Sequence, residues 1–107
     1  MMKDKVYNAL IDMGAPVKTR GAQYIAEAMC IYDSAEQWTN VKTMELYAEI
    51  AKKYGSELTR VERDIRYTFL KCISKGSEKA VEKYFGGNTR GNTNRLAALY
   101  IKLKQEG

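Results

Sequence analysis

Between Leu58 and Lys71 the chain reads LTRVERDIRYTFLK. Four cations stand there, Arg60, Arg63, Arg66 and Lys71, with two carboxylates, Glu62 and Asp64, and the phenol of Tyr67. These side chains suit the recognition of a nucleic acid. A guanidinium fork pairs bidentately with guanine O6 and N7, a carboxylate accepts from a cytosine amino group, and hydroxyl, phenol and ammonium donors bind phosphate oxygens. Within the same stretch and just beyond it, Val61, Ile65, Thr68 with Phe69, and Cys72 with Ile73 recur at helical spacing. If that stripe faces a core, Arg60, Arg63, Asp64, Tyr67 and Lys71 lie on the opposite side, with Glu62 and Arg66 at its edges. A recognition helix meets base edges with its first turns. Arg60, Glu62 and Arg63 are therefore the expected base-reading residues, and Thr59, Arg66, Tyr67 and Lys71 the expected contacts to the DNA backbone.

Other chemistry is poorly supplied. The chain contains no histidine, the commonest general base, and its two cysteines, Cys30 and Cys72, stand apart with no metal-ligand spacing. Both are expected to be buried, reduced thiols. No metal or cofactor site is expected and no paired catalytic constellation is visible, Glu27 and Glu49 being lone acids, so an enzyme is not expected. Binding of single-stranded RNA through the eight tyrosines is disfavoured, because most of them fall on inward faces.

The recognition stretch needs a scaffold, and 107 residues suffice for one domain with one core. Val6, Ala9, Leu10 and Met13 set a first helix over about Lys3 to Met13, ended by Gly14. Tyr24, Ile25, Ala28, Met29 and Tyr32 form the stripe of a second helix that begins near Arg20. The segment DSAEQWTN, Asp33 to Asn40, loses the helical period, and Trp38 within it is expected to cap a core edge. Met44, Tyr47, Ala48, Ile50, Ala51 and Tyr54 restore the period until Gly55, a left-handed cap. Thr59 and Glu62 have the spacing of a capping box and are expected to open the fourth helix. That helix runs to about Lys75, and Ser77 caps a short fifth. The run GGNTRGNTN, Gly86 to Asn94, is expected to be loop, and Leu96, Leu99, Tyr100 and Leu103 belong to a last helix. The expected fold is all-α, about six helices forming a bundle in a single helical domain over residues 1–107, with a helix-turn-helix over about 44–75. Its recognition helix is Thr59 to Lys75.

Charge is distributed unevenly along the chain. Up to Leu58 there are seven basic against eight acidic residues, and after it eleven against five. A C-terminal half with that excess suits an anionic partner. Arg20, Arg90 and Arg95 flank other helix starts and are further candidates for phosphate. No stretch is long and apolar enough for a membrane span and none resembles a signal peptide, so the cytoplasm is the expected compartment and no membrane contact is expected.

The segment YAEIAKKYGSELTRVERDIRYTFLKCISKG, from Tyr47 to Gly76, resembles the C-terminal DNA-binding effector domain of the sporulation stage-zero response regulator family. MGAPVKTRGAQYIAEAM, Met13 to Met29, is similar to that family's entry into its second helix, and TNRLAALYIKLKQE to its closing helix. The resemblance runs from about Val6 to Glu106. It implies a six-helix bundle that binds promoter DNA as a homodimer or as tandem copies, with base reading at Arg60, Glu62 and Arg63 and backbone contact at Arg66 and Tyr67. Two residues depart from the family pattern: Tyr67 stands where its best-known member has a histidine, and Asp64 where a small residue is usual. The family's regulator also carries an N-terminal phosphoacceptor domain, and a chain starting a few residues before the effector pattern is expected to be a free-standing effector without that receiver. The expected function is sequence-specific transcriptional regulation on double-stranded DNA. The alternative is a protein that no longer binds DNA but pairs with a related full-length regulator, through its last helix or the surface near Tyr100, and titrates it.

Overall fold

The structure, a computed structural model, describes residues 1–87 and 90–106. Six α-helices account for most of the chain: α1 (Met2–Asp12), α2 (Arg20–Ser34), α3 (Thr43–Tyr54), α4 (Leu58–Lys75), α5 (Glu78–Phe85) and α6 (Asn92–Gln105). A single 3₁₀ turn, Trp38–Asn40, precedes α3, and no strand occurs among the described residues. None of these helices is long and apolar enough to cross a membrane.

Helix α2 is the axis of the bundle. Its buried residues, Gly21, Ala22, Tyr24, Ile25, Ala26, Glu27, Ala28, Met29 and Tyr32, extend most of the way round the helix. A helix apolar on nearly every side must be covered on nearly every side. Accordingly, α1, α3, α4, α6 and the 3₁₀ turn all pack against it. Thr19 starts it, its hydroxyl accepting from the Ala22 amide at 3.2 Å. The small side chains Ala22, Ala26 and Ala28 let neighbours approach closely, and Gly21 permits the closest approach. A Cβ built at Gly21 would stand 2.0 Å from Thr68 Oγ1 and 2.6 Å from the Asp64 carbonyl oxygen of α4. Only a hydrogen fits at that crossing.

Glu27 is a charged residue inside this apolar axis, only 8% exposed. Lys53 of α3 donates to its Oε1 at 2.9 Å, Tyr54 donates at 3.4 Å, and Lys3 of α1 lies 3.5 Å away. Burial pushes this carboxyl up, but the hydrogen bond and charge of Lys53, then Lys3, more than offset it, and its pKa lies below the ordinary value of 4.5. One carboxylate thus links three helices. On the far side of α2, Trp38 packs edge-on against Tyr32, ring centroids 5.4 Å apart, and against Tyr100 at 4.9 Å, closing the core edge as expected.

Several expectations need correction. Helix α1 spans Met2–Asp12, one residue earlier than read. Asp33 and Ser34 extend α2 rather than leaving it. In α3 the inward residues are Leu46, Tyr47, Ile50 and Ala51, whereas Met44 is 60% exposed and Ala48 is exposed as well, because both lie on the flanks of the face that Leu46 and Ile50 centre on the core. In α4, Cys72 is buried but Ile73 is 40% exposed, being rotated out beyond the stripe. Cys30 is only half-buried. Burial raises its thiol pKa, and burial pushes that of Cys72 up to about 11, so both thiols stay protonated at neutral pH. Finally, Asn92, Thr93 and Asn94, read as loop, form the first turn of α6, while Asn88 and Thr89 of that run lie outside the described residues.

Two outcomes are expected. Gly21→Ala forces the first turn of α2 away from α4, and overpacking of this kind costs about 1–3 kcal/mol, so thermal unfolding is expected to drop by at least about 5 °C. Glu27 has a depressed pKa in the folded state, so its contribution to stability is complete above pH 4.5 and is lost as pH falls through the lower folded value. Denaturant unfolding followed at pH 7, 5, 4 and 3 is expected to show an acid loss of stability that is smaller in Glu27→Gln than in the parent chain.

Candidate nucleic-acid interface

The candidate site is the outer face of α4. The preceding turn determines how this helix leaves α3. Gly55 takes φ 62° and ψ 40°, and the amides of Gly55 and Ser56 both donate to the Ala51 carbonyl, closing α3 with a left-handed cap. The chain is extended at Glu57 and α4 begins at Leu58. The capping box expected from Thr59 and Glu62 is absent. Because Leu58 is already helical, Thr59 lies inside the first turn and its side chain cannot reach back to cap. Glu57 is the cap residue, and its carbonyl accepts from the amides of Arg60 and Val61, both at 3.0 Å.

Val61, Ile65, Phe69 and Cys72 are fully buried and Thr68 nearly so, which fixes the rotation of α4 about its axis. Thr59, Arg60, Arg63, Tyr67 and Lys71 are exposed on the opposite side. Arg60 has no side-chain partner among the described residues. Arg63 has only a loose contact, its Nε lying 4.0 Å from Asp64 Oδ1. Tyr67 is 53% exposed, and it is the one exposed tyrosine among the described residues. Glu62 and Arg66 flank this face and bond to each other, both Glu62 oxygens accepting from Arg66 Nη1. The Arg66 guanidinium also lies 5.5 Å from the centre of the Tyr67 ring. The structure thus brings the expected residues onto one face, with Glu62 engaged internally and Arg60 unengaged.

Two braces hold α4 at its flanks. On one side, Gly21 fits against the Asp64 carbonyl and the Thr68 hydroxyl, which itself donates to Asp64 O at 2.9 Å. Asp64 is half-buried there, at the edge of the exposed face rather than its centre. On the other side, Asn92 Nδ2 donates to the Glu62 carbonyl at 3.0 Å and to Tyr47 Oη at 3.1 Å, linking α6, α4 and α3. Asn92 was not legible as a site residue. It sits in a turn-rich run, and nothing local reveals a partner thirty residues away.

Of the three outlying arginines, Arg20 opens α2 next to the Gly21 brace and Arg90 is exposed just before α6. Arg95 lines a cleft of about 450 Å³ together with Thr43, Met44, Tyr47, Arg66 and Asn92. Tyr100, expected near a pairing surface, is instead 5% exposed, and its hydroxyl donates to Asp33 at 3.0 Å. The exposed apolar residue of α6 is Ile101, at 46%.

A family model described as the sporulation initiation factor Spo0A C terminal matches residues 6–103. That span begins within α1 and ends within α6. It includes the α3 turn, the whole of α4 and both braces. The chain belongs to the Spo0A C-terminal domain family, the DNA-binding regulatory domains of sporulation initiation factors.

Proposed function

We propose that this chain is a sequence-specific regulator of transcription whose α3 and α4 act as a helix-turn-helix, with α4 in the major groove of double-stranded DNA. Arg60 carries the reading: a cation on the first turn of the helix, opposite a buried stripe, with no partner of its own among the described residues. A guanidinium left unpaired beside a rigid core is prepared for a bidentate contact to guanine. Arg63, one turn on, reads a neighbouring base, and Glu62 accepts from a cytosine amino group with the lone pairs that Arg66 leaves free. Thr59, Arg66, Tyr67 and Lys71 grip the backbone and set the register. The domain binds its operator as paired or tandem copies, as adjacent half-sites require of a domain this small.

The reading is tested by selection from a randomised duplex library, followed by anisotropy titration of the enriched sequence. A defined motif is expected, bound at least about a thousandfold more tightly than scrambled DNA. Arg60→Ala and Arg63→Ala are each expected to cost about 1–3 kcal/mol and to relax preference at one base pair, with helicity unchanged. A library that enriches nothing overturns the proposal. So does a double variant that regulates as the parent does, and that result would favour titration of a related regulator instead.

A further inference from the structure

The segment that leads into α2 is laid along one flank of α4. At its start, a Cβ built at Gly14 would stand 3.7 Å from the Lys75 carbonyl oxygen, and one at Gly76 would stand 2.6 Å from that of Met13. At its end, Gly21 meets the Asp64 carbonyl and the Thr68 hydroxyl. Asp64, Thr68, Lys71 and Lys75 follow one another at i, i+4, i+7 and i+11, a single line along the helix. The chain from Gly14 to Gly21 therefore runs antiparallel to that line, at the edge of the exposed face. Ala15 is buried and Val17 packs against the core, whereas Pro16, Lys18 and Arg20 are exposed. Thr19 fixes the segment locally, its hydroxyl donating to the Pro16 carbonyl at 3.3 Å and accepting from the Ala22 amide.

Four cations are gathered on this flank, Lys18 and Arg20 from the segment and Lys71 and Lys75 from α4. All four are exposed, and none has a side-chain partner among the described residues. Over residues 14–21 and 64–75 the one carboxylate is Asp64. It is half-buried, and Arg63 Nε approaches it at 4.0 Å, so a single partly engaged charge faces four of opposite sign. The other flank of α4 is different: Glu62 and Arg66 neutralise each other there, and Leu70 and Ile73 are apolar. Like charges held side by side add nothing to the stability of a fold, and a polyanion laid along them removes their repulsion. Resting on the DNA-reading assignment of α4, we infer that Lys18, Arg20, Lys71 and Lys75 form a rail for phosphates of one DNA strand, the strand that borders the groove on this side of the helix. Two elements then hold the same strand, so the rail fixes the register of α4 and adds affinity without sequence preference.

The double variant Lys18→Gln with Arg20→Gln and the single variant Lys75→Gln are compared with the parent chain on the selected duplex at several salt concentrations. The double variant is expected to bind about 10- to 100-fold more weakly and to lower the salt slope by about two, and Lys75→Gln to lower it by about one, while the selected motif stays the same. Duplexes carrying neutral methylphosphonate linkages then locate the rail: on one strand beside the read bases, neutral backbone is expected to abolish the difference between the double variant and the parent. A difference that persists wherever the linkages are placed would reveal diffuse attraction and overturn the inference, as would unchanged affinity and slope or an altered motif. If Arg20→Gln unfolds, Lys18→Gln with Lys75→Gln carries the same decision. A parent chain that enriches no motif sinks the α4 assignment and this inference with it, whereas a parent that enriches one, with variants that bind as it does, sinks this inference alone.

Discussion

The rotation of α4 about its own axis is the constraint on which the rest of this structure depends. A helix presents a reading face only if nothing lets it roll, and a roll of one residue would carry Arg60 and Arg63 toward the core. Burial of Val61, Ile65, Phe69 and Cys72 supplies the main restoring force, since each apolar side chain costs about 1.5–3 kcal/mol to expose. Apolar burial is not directional, however, and a greasy stripe tolerates small rotations. The two flanking braces are directional. Gly21 meets the Asp64 carbonyl at a distance that admits no side chain, and Asn92 holds the Glu62 carbonyl by a hydrogen bond. These carbonyls lie two residues apart on opposite flanks of the helix, so rotation either way breaks a contact.

Charge in this molecule is divided between structure and surface. Lys53 and Lys3 neutralise Glu27, Lys104 pairs with Asp33, and Lys83 with Glu106. Those pairs tie together residues on different elements. On the outer face of α4, by contrast, Arg60 has no such partner among the described residues, and Arg63 only a distant one.

Much of this was legible in the sequence because it is local. The inward stripe of α4, the left-handed glycine at position 55 and the serine cap of α5 all express themselves within a few residues. The outward placement of Arg60, Arg63, Tyr67 and Lys71 follows from the stripe alone. What could not be read depends on partners elsewhere in the chain. Gly21 looks like an indifferent residue at a helix start until α4 crosses it. Asn92 looks like a turn former until Glu62 and Tyr47 appear beside it. The capping box at Thr59 failed for a related reason: the spacing was right, but the Gly55 cap and the extended Glu57 let the helix begin at Leu58, and a hydroxyl inside the first turn is no longer a cap. Met44 was placed in the core on periodicity, but the buried face centres on Leu46 and Ile50 and leaves Met44 on its flank.

Glu62 shows how the site can be both well ordered and adaptable. Its pairing with Arg66 is an i, i+4 contact with both side chains part-exposed, and such pairs contribute only about 0.3–0.5 kcal/mol. A contact that weak is not what stabilises α4. It instead determines where Arg66 rests before DNA arrives, close to the Tyr67 ring and at the mouth of the cleft that Arg95 shares. A phosphate, with a full negative charge and several acceptor oxygens, competes with Glu62 at little cost. In the DNA complex we propose, that competition frees further lone pairs of the Glu62 carboxylate for a cytosine amino group. The proposed backbone and base contacts would then be coupled through one exchangeable ion pair, while the directional contacts of the helix lie beneath it, on the Glu62 and Asp64 carbonyls.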